Sequence, residues 1–463
     1  MSCSDYRESE RRLVMLACCL SGFIAPLLST MMNLSLVSIG EEFSAGSHEL
    51  AYVNTAFLLS SVVFMVPLSK AADIFGKKRL FLAGLVTTLT ACLAAVVSPS
   101  FWWLVGCRAM MGAGAAALSS TSISLITDVF PGNRRGGAIG FQTMCVYIGL
   151  ASGPPVGGTL NDILGWHSLF LLIVPLAVSS FILMMMFRHE ISPDAGKHFD
   201  GRGSVLYGIG IVLAMGGVIN MPASWAFVSL AIGLIMLGAF VWWQLRITDY
   251  LLNIRLFRSK VFSGSCAAAF LNYAASYSVS YFMALYLQSI GALTASEAGM
   301  IMLTQAAVQV MTTPLFGRLS DRIADKRILP TVGMGITGIG VSMFLMYGIE
   351  ADLPLVFLTL LTIGFGMGMF SAPNTSVIMG SVHREETSEA SGVVAVMRQT
   401  GMMVSMGVAM LFISVVMGGA DNIVPENYGV FVDVLHYSFG ICLAMCLVGM
   451  LASLLRGKPK ELG

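Results

Sequence analysis

GLASGPPVGGTL, residues 149–160, lies at the end of an apolar run that begins near residue 136. Gly149, Gly153 and Gly157 recur every four residues, so on a helix they share one face and let a neighbouring backbone approach without intervening side chains. Pro154 and Pro155 remove two amide donors from the middle of that helix. A helix in lipid tolerates this where neighbours or local distortion satisfy the freed carbonyls. With Gly158 and Leu160 completing it, the stretch describes a membrane helix built to pack closely and bend.

Composition agrees. The chain is 56% hydrophobic and 11% charged, where soluble domains run nearer about 45–50% and about 25%. A net charge of +1 gives no attraction for nucleic acid, and no loop is long enough to be a soluble domain. Nine cysteines carry no metal-ligand spacing, so no metal and no cofactor is expected. Windows of about 20 apolar residues, the length that a bilayer core requires, begin with 14–39, 50–69, 80–98, 101–127 and 136–160 and end with 390–417 and 432–455. Fourteen such spans are expected, an all-α polytopic membrane protein.

Cations at helix ends collect on the cytoplasmic side of a membrane. With both termini inside, all but two of the 26 Lys and Arg fall in cytoplasmic segments, and the two exceptions, Arg108 and Arg398, lie inside spans. A multi-pass protein of the cell membrane with both termini cytoplasmic follows. A weak repeat then divides the chain: SKAADIFGKKR, residues 69–79, aligns without gaps to GRLSDRIADKR, residues 317–327. Both copies fall between the second and third spans of a six-span unit, the arrangement of a transporter made of parallel repeats. The expected organisation is a six-helix half over 1–190, two extra central helices with their linkers over 191–260, and a second six-helix half over 261–463.

Several motifs point to one family. The spaced glycines, the Gly153-Pro154 step and Gly157-Gly158 resemble the fifth-helix motif of major facilitator superfamily antiporters, the drug efflux members above all. The first repeat copy is similar to that superfamily's cytoplasmic loop motif at Asp73, Gly76, Lys77 and Lys78, with Asp321 and Arg322 in the second copy. LVGCRAMMGAGAA, residues 104–116, matches a fourth-helix motif through Arg108, Gly112 and Gly114. STMMNLSLVSIGEEF, residues 29–43, resembles the first span of the fourteen-span drug:proton antiporters through Thr30, Asn33 and Leu36. The resemblance implies the major facilitator fold with an extra helix pair between its halves, and export of small compounds by alternating access against protons.

Arg108 carries the sharpest single signal, because a guanidinium deep in an apolar helix is costly and must find a partner or a wet cavity. The resemblance associates it with proton coupling and with packing on the first span, here through polar groups such as Thr30 and Asn33. Leu28 stands where the family often has an aspartate, and no other Asp or Glu lies at mid-depth in any expected span. Residual coupling then falls to Asp73, Asp433 or His436, with Arg398 as a second intramembrane charge. Asp73 is expected to cap the third span and to pair across the seam between halves.

Tyr273, Tyr277 and Tyr281 recur every four residues beside Asn272, and Asn33, Asn54, Gln142, Tyr147, Gln305, Gln309 and Asn374 add uncharged polar groups at similar depth. Such a lining suits amphipathic or cationic organic molecules through stacking and cation-π contact. No phosphate-cradling loop for ATP occurs, and no nucleophile with a base lies at depth, so no catalytic residue and no enzyme activity is expected. The partners are the lipid bilayer, a small-molecule substrate and protons. An exporter of drug-like compounds is the leading reading, a dedicated exporter of an endogenous and anionic metabolite the second, and a transporter-like sensor the alternative outside transport.

The topology is directly testable. Asn427 and Ala45, each replaced by Cys in a cysteine-free background, are expected to react with an impermeant thiol reagent on intact cells. Protection of both until the cells are permeabilised would reverse the orientation.

Overall fold

The computed structural model describes residues 6–190, 199–323, 325–382, 386–418 and 423–457, and among these it is almost wholly helical. The helices are α1 (Glu8–Thr30), α2 (Leu36–Phe43), α3 (Ser47–Phe75), α4 (Lys77–Val96), α5 (Phe101–Val129), α6 (Gly132–Leu164), α7 (His167–Met186), α8 (Gly201–Ile219) and α9 (Ser224–Gln244). After a short linker follow α10 (Lys260–Ser276), α11 (Ser278–Ser289), α12 (Ala295–Arg322), α13 (Ile328–Ser342), α14 (Leu353–Met379), α15 (Thr387–Phe412) and α16 (Tyr428–Leu455). Caps set several starts: the Ser100 hydroxyl accepts from the Trp103 amide, Asp352 accepts from Leu355, and Thr294 with Glu297 forms a capping box on α12.

α1 and α2 are one rod interrupted by a tight turn of helix at Met31–Ser35, and α10 and α11 are one rod broken at Tyr277. α1 and α3–α7 pack into one bundle, and α10–α16 into a second. The bundles meet along α6 against α12 and α3 against α15. α8 lies over α3 and α15 together, whereas α9 packs chiefly on α8 and turns Trp225, Phe227, Val228 and Ile235 outward. Hydrogen bonds fasten this pair to the first bundle: the Tyr207 hydroxyl donates to the Val62 carbonyl (3.1 Å) and the Tyr52 hydroxyl to Asn220 (2.8 Å).

Among the described residues eleven helical stretches are long and apolar enough to cross a membrane by length and composition. Outside that set are α6, α12 and the rod of α10 and α11, which the break at Tyr277 divides into pieces of 17 and 12 residues. α12 packs against both α6 and α11, and helices that face protein do not need the uniform apolarity of a lipid-facing helix.

The glycine face of α6 packs inside its own bundle. A Cβ on Gly149 would lie 2.5 Å from the Phe23 carbonyl oxygen, one on Gly157 2.5 Å from that of Met31, and one on Gly153 would overlap Thr30. These three glycines therefore let α6 lie directly on α1, where the helix tightens. The seam between bundles is built by the glycine outside that stripe. A Cβ on Gly158 would lie 2.1 Å from the Ala295 carbonyl oxygen on α12, and one on Gly299 would lie 2.4 Å from that of Pro154. Beside this contact the Ser296 amide donates to Asp162 (2.7 Å) and the Thr159 and Ser296 hydroxyls lie 3.3 Å apart. At the opposite end of α6, Gly137 and Gly140 have open space where a side chain would be. α6 thus meets α12 closely at the end carrying Asp162, while near its own start Gly137 and Gly140 meet no neighbouring helix among the described residues.

Ala45 is only 2% exposed, so a thiol there would stay silent in either orientation; Glu41, exposed on α2, replaces it as the labelling position. The two kinds of glycine separate experimentally. Gly157→Ala is expected to lower the thermal unfolding midpoint by several degrees, because its Cβ meets backbone inside one bundle. Gly158→Ala is expected to spare the midpoint and open the joined end, so that a Cys in place of Ser29, 8% exposed, becomes labelled by a thiol reagent. A Ser29→Cys that stays protected would remove Gly158 from the seam.

Candidate functional site

Arg108 lies on α5 with no accessible surface. Its Nε donates to the Val53 carbonyl of α3 and its Nη1 to the Leu28 carbonyl of α1, both at 3.1 Å, while the guanidinium sits 4.6 Å from the centre of the Phe57 ring. A carbonyl oxygen has two lone pairs, so Val53 within α3 and Leu28, just before the rod tightens at Met31–Ser35, can each accept from the arginine. Leu28 thus supplies an oxygen to the arginine from its main chain. Thr30 and Asn33, the partners expected from sequence, are taken elsewhere: Thr30 donates to Pro26 (3.0 Å), and Asn33 accepts from Asn54 (2.7 Å). Nη2 finds no acceptor among the described residues.

Tyr277 of the second bundle is within electrostatic reach of Arg108, and its hydroxyl pairs with that of Ser29 on α1 at 3.0 Å. Tyr147 on α6 pairs with Ser371 on α14 at 3.0 Å, and it lies close enough to Tyr273 on α10 and Arg398 on α15 to feel both. Gln399 donates to Ser61 on α3 (3.0 Å). These groups all bridge the two bundles. Tyr147, Tyr273, Tyr277 and Arg398 each keep partial accessible surface, so they border the space between the bundles rather than disappear into either. The break at Tyr277 turns the last tyrosine away: Tyr281 is 1% exposed and packs edge-on against Phe282.

The other expected lining residues make contacts within a bundle. Asn272 is buried and donates to the Met367 sulfur (3.0 Å). Gln142 packs where Gly22 of α1 lacks a side chain. Asn374 donates to the Ser265 carbonyl (3.0 Å) and accepts from buried Arg456 (2.8 Å), a knot that ties α10, α14 and the end of α16. Sequence reasoning missed Ser29, Ser61 and Ser371, since single serines in apolar helices carry no pattern.

The cytoplasmic loop motif also differs from expectation. Asp73 lies 3.8 Å from Lys77, which reaches Asp128 at 2.5 Å, and Lys78 donates to the Phe187 carbonyl. All of these are inside the first bundle, so Asp73 makes no pairing across the seam. Gly76, at φ +106°, turns the chain between α3 and α4. Contact between bundles here runs through the linker after α9: Lys70 stands over the Tyr250 ring at 5.8 Å, while Tyr250 and Asn253 donate to Glu389 on α15 at 3.4 and 2.7 Å. In the second copy Arg327 pairs with Asp325 (2.7 Å), a bond that raises the arginine's affinity for its proton. Arg322 is exposed, and the Asp321 side chain lies outside the described residues. Asp433 is exposed near the start of α16, and His436 Nε2 lies 3.0 Å from the Tyr347 carbonyl oxygen.

Known proteins share this architecture. The sequence model of the Major Facilitator Superfamily matches residues 18–251 and 265–463. Multidrug resistance protein Stp of Mycobacterium tuberculosis is 28% identical over 395 residues, 84% of this chain and 73% of its own length. Riboflavin transporter RibZ of Clostridioides difficile is 24% identical over 451 residues, 96% of each chain. Among solved structures, a peptide transporter in complex with sulfate superposes with a TM-score of 0.69 at 15% identity, covering 97% of this chain and 96% of its own.

The two carbonyls held by Arg108 belong to different helices, and a single ammonium cannot reproduce that planar fork. Arg108→Ala is expected to abolish transport in vesicles and to lower the unfolding midpoint, since both carbonyls lose their donor; Arg108→Lys is expected to retain part of each. Normal transport by Arg108→Ala at normal expression would reduce the residue to a bystander.

Proposed function

Because the chain belongs to the major facilitator superfamily, it is a membrane transporter of small molecules and not an enzyme, and we propose that it exports amphipathic, aromatic compounds by alternating access. The observation that carries this reading is the polar and aromatic lining between the bundles, Tyr147, Tyr273 and Tyr277 with Ser29 and Ser371, beneath an end sealed by Gly158 on Ala295. Aromatic rings with single hydroxyls hold flat organic molecules through area and stacking. The names carried by relatives, a multidrug resistance protein and a riboflavin transporter, support small organic substrates.

In the same reading the fourteen rods are fourteen spans of a cell membrane, with both termini and the cationic loops cytoplasmic. Residues 1–190 and 261–463 are then the rocking halves, and 191–260 a hairpin that rides on the seam at α3 and α15 while leaving the α6 and α12 seam uncovered. Transport draws on ion gradients rather than on ATP. Proton exchange, as the resemblance implies, relies on carboxylates at helix ends such as Asp73 and Asp433 and on His436, since among the described residues no acid lies at mid-depth.

Expression in a host deleted for its own efflux pumps, challenged with a panel of toxic aromatic compounds, tests the reading. Raised tolerance together with lower cell content of the protective compound is expected, and both gains are lost in Tyr147→Ala and Tyr273→Ala. Unchanged tolerance across the panel with the protein present in the membrane, or higher cell content on expression, would overturn export.

A further inference from the structure

The charge balance of the space between the bundles is one-sided. Arg398 sits three turns into α15 with part of its side chain accessible. It makes no hydrogen bond or ion pair among the described residues, and it is not one of the groups whose partner lies outside them. An arginine keeps its proton in a protein. The other deep arginines are occupied, Arg108 by the Leu28 and Val53 carbonyls and Arg456 by Ser265 and Asn374. The groups placed near it are neutral: Tyr147 on α6 lies within electrostatic reach, with Tyr273 of α10 and Ser371 of α14 beside that tyrosine, and its own neighbour Gln399 is paired to Ser61 of α3. The nearest acid on its own helix is Glu389, at the helix start and engaged by Asn253.

We propose that this site selects an organic anion: a flat aromatic body between Tyr147, Tyr273 and Tyr277, and a carboxylate, phosphate or sulfonate on the Arg398 guanidinium. The proposal rests on the reading of the chain as an exporter and narrows its substrate, against the preference for cations that the tyrosines alone imply. A guanidinium with free donors matches a two-oxygen anion by parallel hydrogen bonds and repels a cationic ligand at the same place. It also supplies a driving force. Carrying an anion outward moves negative charge out of an inside-negative cell, so membrane voltage drives export with no mid-membrane carboxylate to load and unload. With a monovalent anion the loaded site is neutral, the empty site carries Arg398's charge, and one negative charge crosses per cycle.

The test uses the full chain purified and reconstituted into vesicles, with pyrenebutyrate as the monovalent anion, its methyl ester as the neutral match, and a pyrene-bearing quaternary ammonium as the cation. Binding is read by fluorescence anisotropy, and flux is read under an imposed voltage without a pH gradient. The anion is expected to bind at least ~10-fold more tightly than either other probe, the strength of one well-made charged contact, and its flux to follow voltage. Arg398→Gln is expected to erase that preference while the neutral form binds as before, and Arg398→Lys to keep part of it. Arg398 has no partner to lose, so size-exclusion profiles of the variants should match the native protein. Equal binding of anion and cation by the native chain, or a preference that survives Arg398→Gln, would overturn the selection of anions while leaving export standing. Preferential binding of the anion with no flux of any probe would support the site and count instead against the exporter reading.

Discussion

One buried guanidinium holds the first bundle together. Arg108 reaches from α5 to α1 and α3 at once, and it does so through main-chain oxygens. A cation of full charge in a membrane interior must be neutralised or hydrogen-bonded, and this one takes the second course through the second lone pairs of the Leu28 and Val53 carbonyls. The tightening of the rod just beyond Leu28 has its own condition. Gly153 and Gly157 admit α1 at Thr30 and Met31, so the glycines of α6, the irregular turn of α1 and the arginine of α5 form one dependency. Through Tyr277 and Ser29 the same cluster lies next to the second bundle, which places the costliest charge of the fold beside the surface where the two halves part.

The seam is economical. Gly158 and Gly299 bring backbone against backbone at one end, where Asp162 also accepts from the first turn of α12. A carboxylate at a helix N-terminus is favourably placed by the orphan amides there. At the other end the glycines of α6 touch nothing. Contacts that are mostly neutral can be made and broken without large desolvation penalties. The fixed ion pairs of the loop motif stay inside one bundle and brace it as a rigid body.

Polarity is distributed by the same logic. The rods outside the membrane-crossing set, α6, α12 and the broken α10 and α11, each present side chains to the opposite bundle, while α9 turns an apolar face outward. Helices that face protein and water on one side need not match the hydrocarbon on all sides. A hydropathy count therefore falls short at the helices nearest the site.

By itself the amino-acid sequence determined the all-helical class of fold, the family, and the positions of the two arginines inside apolar helices. Apolar length, cation placement and motif spacing are local properties read along one chain. It also identified the glycine face of α6 as a place of close approach. Only the tertiary structure decided what approaches: α1 on Gly149, Gly153 and Gly157, and α12 on Gly158, which the four-residue spacing sets apart from the stripe without naming either partner. It likewise decided that Arg108 is spent on carbonyls while Arg398 stands free, and that Asn33, Gln142, Asn272, Tyr281 and Asn374 serve packing within a bundle. Polar residues of equal depth and type look alike in sequence. Which of them meets a partner depends on helix rotation and on breaks such as those at Met31 and Tyr277, and these are set by long-range packing.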